Sequence, residues 1–142
     1  MIDSVVVDAN VVVKWVVAEE HSAEARLLTR MRLSAPGLLF IECANLLWKK
    51  VRLGELKPED AYTGLDFIMI SPVEIVGSAH LLKSAIRISI DLKHPVYDCL
   101  YLALAQQRKI PLVTADGRLA NLMAKRKHLG IRVEFLSTFD RS

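Results

Sequence analysis

Four acidic residues sit where a carboxylate is out of keeping with its neighbours. Asp8 divides the valines of VVVDANVVVKW, Glu42 interrupts LLFIECANLLW, Asp98 interrupts VYDCLYLALA, and Asp116 follows the apolar LVTA. Taken singly, each has an ordinary structural role. Asp8 or Asn10 suits a helix N-cap. Glu42 and Asp98 suit early helical turns, where an acid contributes about 0.3 to 1 kcal/mol against the helix dipole, and Asp116-Gly117 suits a turn. Those roles leave the apolar surroundings unexplained, because acids are rarely buried without a partner. If the four converge, two carboxylates about 5 Å apart repel by roughly 3 kcal/mol at an effective dielectric of 20. Either some hold a proton at neutral pH or a hard cation lies among them. All-oxygen ligation favours Mg²⁺, with Mn²⁺ as the alternative, and no pair of His and Cys has zinc spacing. A cation held this way activates water and stabilises in-line displacement at a phosphodiester.

For the acids to meet, the elements carrying them must share an edge. Residues 2–7 form a continuous apolar, β-branched run, as expected of a strand buried on both faces. Helices are expected over 10–17 and 22–33, the latter from the spacing of Ala23, Leu27 and Met31. LSAP reads as a short strand before Pro36-Gly37, and 38–53 as a helix that Gly54 closes. A helix opening at Pro58 leads into the strand PVEIV, and a helix from Ser78 to Leu92 is ended by His94-Pro95. The spacing then predicts a helix over 96–107, the strand IPLVTA, a helix from about Leu119 towards Gly130, and the strand IRVEFL. This alternation predicts an α/β fold in one domain, residues 1–142: a central parallel sheet of about five strands with helices on both faces. In such a sheet, strand C-terminal ends and helix N-terminal turns lie at one edge, where ligands bind. Asp8, Glu42, Asp98 and Asp116 all map to that edge.

The 142 residues suffice for one domain with a real core. Apolar residues make up 52% of the chain, yet Asp8, Glu42 and Pro72 break the apolar runs well short of the ~20 residues that span a bilayer. No membrane partner is expected, and without an export signal the expected compartment is the cytoplasm. Cys43 and Cys99 give neither a disulfide framework nor a zinc spacing. Each directly follows a candidate acid, so on a helix each turns about 100° away, towards the core. The net charge of +3 is compatible with a polyanionic partner.

Read together, VVVDANVVVKW, APGLLFIECANLLWKKVRLGEL and HPVYDCLYLALAQQRKIPLVTADGRL resemble the PIN-domain ribonucleases, in particular the VapC-type toxins of prokaryotic toxin-antitoxin pairs. The likeness covers nearly the whole chain. It implies a Mg²⁺-dependent endoribonuclease, with Asp8, Glu42, Asp98 and Asp116 as its metal-binding, catalytic acids. It further implies a homodimer and a small antitoxin that covers the site. Asn10 takes a place often held by Ser or Thr in that family, and its carboxamide still suits a water or phosphate contact. Thr114 matches a frequent hydroxyl residue two before the last acid. Both are expected beside the acids or facing substrate.

Basic residues gather at Lys49, Lys50 and Arg52, at Arg108 and Lys109, and at Lys125, Arg126 and Lys127. These are ordinary solvated helix faces or a rim for RNA phosphates. Arg118, just after Asp116-Gly117, is the candidate phosphate contact. His94 reads as a helix-start residue rather than a general base. Trp15, Trp48 and Phe67 suit either the core or a groove for an amphipathic partner helix. Two other functions fit parts of the pattern. A haloacid-dehalogenase-like phosphatase also opens with a strand and Asp, but needs a second acid where Asn10 stands. A degenerate PIN domain would bind RNA or protein without cutting.

Overall fold

A computed structural model describes residues 1–141. The chain runs β1 (Ser4–Val7), α1 (Ala9–Val13), α2 (Ser22–Leu27), β2 (Arg32–Pro36), α3 (Leu39–Arg52) and α4 (Pro58–Ile70). It continues with β3 (Val73–Val76), α5 (Leu82–Leu92), α6 (Val96–Arg108), β4 (Leu112–Thr114), α7 (Gly117–Ala124) and β5 (Val133–Phe135). The five strands form one sheet in the order β3-β2-β1-β4-β5, and every pairing is parallel. Val5 pairs with Leu33, Val7 with Val113, and Thr114 with Phe135.

Central β1 explains the valines. Val5, Val6 and Val7 are each 0% exposed, and successive strand side chains point to opposite faces, so β1 is covered on both sides. Helix α6 lies across β1, β2 and β4 and pairs with α5. Its residues from Cys99 to Ala105 are all buried, which is why VYDCLYLALA carries so little polarity. Helix α3 packs on α1 and α4. The predicted burial of Cys43 and Cys99 holds. No helix among the described residues is long and apolar enough to cross a membrane.

Some element boundaries differ from the expected ones. The helix expected over 22–33 stops at Leu27, passes through a 3-10 turn, Leu28–Arg30, and gives way to β2 at Arg32. Leu33 is needed between Val5 and Val73 in the sheet, and that pairing overrides its helical spacing. Helix α1 covers Ala9–Val13 rather than 10–17, as befits a valine-rich segment of low helix propensity. Helix α7 ends at Ala124, before a separate 3-10 turn, Lys127–Leu129, closed by Gly130 at φ 66°. The outer strands are also shorter than their apolar runs. Trp15 is core, its indole N–H donating to the Ala25 carbonyl at 2.8 Å, whereas Trp48 and Phe67 are half exposed.

Candidate active site at the sheet's switch point

The strand order reverses between β1 and β4, and a parallel sheet opens a crevice at the C-terminal ends of two such strands. Asp8 immediately follows β1. Its backbone is extended, it caps α1, and its Oδ1 accepts from the Val11 N–H at 3.1 Å. The cap role and the site role therefore coincide in one side chain. Across the crevice, the Thr114 hydroxyl at the end of β4 donates to Asp8 Oδ2. Thr114 Oγ1 in turn accepts from the Asp116 N–H at 3.0 Å. Asp116 caps α7, its Oδ1 accepting from the Arg118 and Leu119 N–H groups at 2.9 and 3.4 Å. A hydrogen-bonded chain thus links Asp116 to Asp8 through fully buried Thr114.

Glu42 and Asp98 enter from the first turns of α3 and α6. The Tyr101 hydroxyl, one helical turn beyond Asp98, donates to Glu42 Oε1 at 2.5 Å. His94 Nε2 lies 2.6 Å from Asp98 Oδ2. Neither partner was expected from the sequence. His94, read as a helix-start residue, precedes α6 and reaches Asp98 at the i,i+4 spacing, which was the available signal. Tyr101 had none, since an aromatic in VYDCLYLALA reads as core.

Asp8, Glu42 and Asp98 line one cavity of about 420 Å³, together with Asn10, Asn45, Lys49 and Tyr97. Asp116 lines an adjoining cavity, whose wall shares Asn10 and Leu46 with the first. Asn10 is exposed between the two, and Arg118 is exposed beyond Asp116. Of the basic clusters noted in the sequence, Lys49 and Lys50 reach these cavities, where Lys14 joins them. Arg108 forks onto Glu74 at 2.9 and 2.7 Å, and Arg126 pairs with Asp91 at 3.8 Å. Each lies at or just past the C-terminal end of its helix, away from the acids, so local ion pairing explains them.

Burial dominates the electrostatics. Asp8 is 8% exposed, and desolvation pushes its pKa up to about 7, against the bonds from Thr114 and Val11 and with help from Asp98 and Glu42. Burial also raises Glu42, with Asp98 adding and the Tyr101 bond opposing. Tyr101 is itself raised, by burial and then by Glu42, so it stays a donor. Burial pushes the Cys43 and Cys99 thiols up to about 12 and about 11, which leaves them unreactive.

Among the described residues, no three His, Cys, Asp or Glu side chains stand close enough to ligate one ion together. The donor set nevertheless fits Mg²⁺, which keeps several of its waters and needs only one or two carboxylates directly. Glu42, Asp98 and Asp116 each commit one carboxylate oxygen to a protein donor and keep the other. Burial with mutual repulsion at Asp8 is a charge deficit that a cation would relieve.

Fold and site together define an α/β protein with an acidic crevice at its topological switch point. The PIN domain family matches residues 5–125, and the chain belongs to that family. It is 33% identical over 119 residues to ribonuclease VapC3 of Pyrobaculum aerophilum, an alignment covering 81% of this chain and 91% of that one. A crystal structure of PAE2754 from the same organism superposes with a TM-score of 0.70 at 21% identity, covering 96% of this chain and 85% of the other. A toxin-antitoxin complex from Klebsiella pneumoniae gives a TM-score of 0.57 at 13% identity, covering 79% of this chain and 86% of the matched one. The fold is thus the PIN fold, as expected, and membership of this family sets the phosphatase reading aside.

Proposed function

We propose that this chain is a cytoplasmic, Mg²⁺-dependent endoribonuclease, the VapC-type toxin of a toxin-antitoxin pair. The observation that carries the reading is the convergence of Asp8, Glu42 and Asp98 on one cavity, with Asp116 tied to Asp8 through Thr114. These four acids are the metal-holding residues in this reading, with Mn²⁺ an alternative occupant. When bound, the cation supplies a water nucleophile at neutral pH and charge stabilisation at the scissile phosphate. The chain does the positioning. Val11 and Thr114 fix the two oxygens of Asp8, while Tyr101 and His94 each fix one oxygen of Glu42 and Asp98 and leave the other for the cation or its waters. Asn10 presents an exposed carboxamide between the two cavities, where it contacts a water or a substrate oxygen. Arg118 meets an RNA phosphate at the rim.

RNA as substrate is supported by the name of the Pyrobaculum relative, and an antitoxin partner by the Klebsiella complex. Partner contacts also have apolar surface available. Leu82, Ile86 and Ile90 form an exposed stripe along α5, and Trp48, Phe67 and Ile70 are exposed on α3 and α4. In this reading the two faces serve a second copy of the chain and the antitoxin.

Purified, partner-free protein should cleave RNA in Mg²⁺ and stop on addition of EDTA. Asp98→Asn should abolish cleavage while leaving the circular dichroism spectrum unchanged. Undiminished cleavage by that variant would sink the site assignment, and intact RNA under all metal conditions would favour a binding module without catalysis.

A further inference from the structure

The cavity beside Asp116 contains a feature the acids do not account for. Lys14, one residue past α1, and Lys50, near the end of α3, bring their ammonium groups to opposite oxygens of one carboxylate, Glu19. Lys14 Nζ lies 3.3 Å from Glu19 Oε1, and Lys50 Nζ lies 2.5 Å from Glu19 Oε2. Both lysine side chains are largely withdrawn from solvent, at 12% and 18% exposure. A lysine on a helix surface ordinarily extends its ammonium into water, where pairing gains little. Here two are drawn together into a cavity of about 420 Å³ that adjoins the acidic one.

We infer that this cavity is the seat of an RNA phosphate next to the scissile one, with Lys14 and Lys50 as its donors and Glu19 as the group that holds them ready. The inference rests on the ribonuclease reading above. Two non-bridging phosphate oxygens present to a pair of ammonium groups much what a carboxylate presents. Glu19 therefore keeps the lysines close together at low cost and yields part of their donor capacity when a phosphate arrives. An ammonium has three donors. Lys14 places one on Glu19 and one on the Glu20 carbonyl at 2.8 Å, leaving one. Lys50 places one on Glu19, and its approach to Glu55 at 3.9 Å is beyond hydrogen-bond length, leaving two.

Placement agrees with charge. The acids take the phosphate to be cut only with a cation present, and a neighbouring phosphate needs positive charge of the protein's own. Lys14 and Lys50 supply it on the Asp116 side, while Lys49 stands on the Asp98 side. A strand crossing both cavities passes over Asn10 and Leu46, which the two share.

The test is binding of a short, labelled, single-stranded RNA to the Asp98→Asn protein in Mg²⁺, followed by anisotropy across a range of KCl concentrations. Replacing both lysines by Gln should weaken binding roughly tenfold and make the salt slope shallower by about 0.7, the value for one phosphate contact on a single strand. Replacing both by Arg should preserve binding and slope. Glu19→Gln should tighten binding, since it removes a competing anion. A network that only fastened residues 14–21 to α3 would behave oppositely: Glu19→Gln would weaken binding and lower the melting temperature, and the lysine variants would leave the slope untouched. Either of those results overturns the assignment. If the Asp98→Asn protein binds no RNA and the unaltered protein cuts none, the ribonuclease reading falls and this one with it. Strong binding that the double Gln variant shares overturns the lysine pair alone.

Discussion

The Thr114 hydroxyl donates to Asp8 Oδ2 across the boundary where the strand order of the sheet reverses. Thr114 is fully buried, and its oxygen also receives the Asp116 N–H. One small side chain thereby sets the positions of two acids carried by different strands. Thr114→Val keeps the shape and the β propensity but removes both bonds. It should cost about 1 to 3 kcal/mol of stability, because a buried carboxylate oxygen and a partly buried N–H lose a partner, and it should lower Mg²⁺ affinity about tenfold or more. Thr114→Ser should retain most of both. Calorimetric titration of metal into the three proteins decides the matter, and equal affinities would leave Thr114 a packing residue.

Asp8 makes the metal-free protein's stability depend on pH in a definite direction. Its folded pKa of about 7 stands above the ordinary value of 3.8. Below about 4 the group is protonated in both folded and unfolded states and costs nothing. Between the two values only the folded state holds the proton, so stability falls as pH rises, and above about 7 the full penalty persists. Asp8→Asn keeps an oxygen to cap Val11 and removes the titration. In EDTA at pH 8 it should melt higher than the unaltered protein, by an amount on the order of 2 to 4 kcal/mol, with the gap closing towards pH 4. Mg²⁺ should raise the melting temperature of the unaltered protein and not that of the variant. A variant less stable at pH 8 would contradict the desolvation account.

Tyr101 offers a separate test of the Glu42 arm. Its hydroxyl is a permanent donor to Glu42, because burial and the neighbouring carboxylate keep it protonated. Tyr101→Phe should leave the fold in place at a cost near 1 kcal/mol. It should reduce metal affinity about tenfold, since the freed carboxylate loses its fixed orientation. Unaltered affinity in the Phe variant would mean that Tyr101 serves the core alone.

These contacts mark the boundary of what the sequence could convey. Apolar periodicity placed β1, the α3 and α6 helices and the early-turn positions of Glu42 and Asp98, because burial acts on every residue of an element and leaves a repeating trace. The acids were conspicuous for the same reason, as breaks in that trace. Partnerships between elements leave none. Thr114 meets Asp8 across 106 positions, and Tyr101 meets Glu42 across 59, so neither pair has a local spacing to recognise. Basic residues were legible as groups but not as partners: Arg108 and Arg126 could be solvated helix charges or a rim for phosphates until the fold put Glu74 and Asp91 beside them. The strand order that separates Asp116 into its own cavity is likewise a property of the sheet and not of any segment.

Tyr97 is the residue through which base contact can be tested. It precedes Asp98, lines the acidic cavity, and remains 61% exposed, with Ile41 beside the same cavity at 70%. An aromatic ring left in water at the edge of the proposed phosphodiester site is suited to stacking a nucleobase of an unpaired strand, which contributes roughly 1 to 3 kcal/mol per base. Tyr97→Phe should therefore cleave single-stranded RNA normally. Tyr97→Leu, which keeps apolar area without a π-face, and Tyr97→Ala should raise KM roughly five- to tenfold or more while kcat changes little, because stacking acts on bound substrate and transition state alike. Steady-state cleavage by partner-free protein separates this from a role in protein docking, which such an assay does not sense. Equal KM for the Phe and Leu variants would show that the ring supplies area and no stacking.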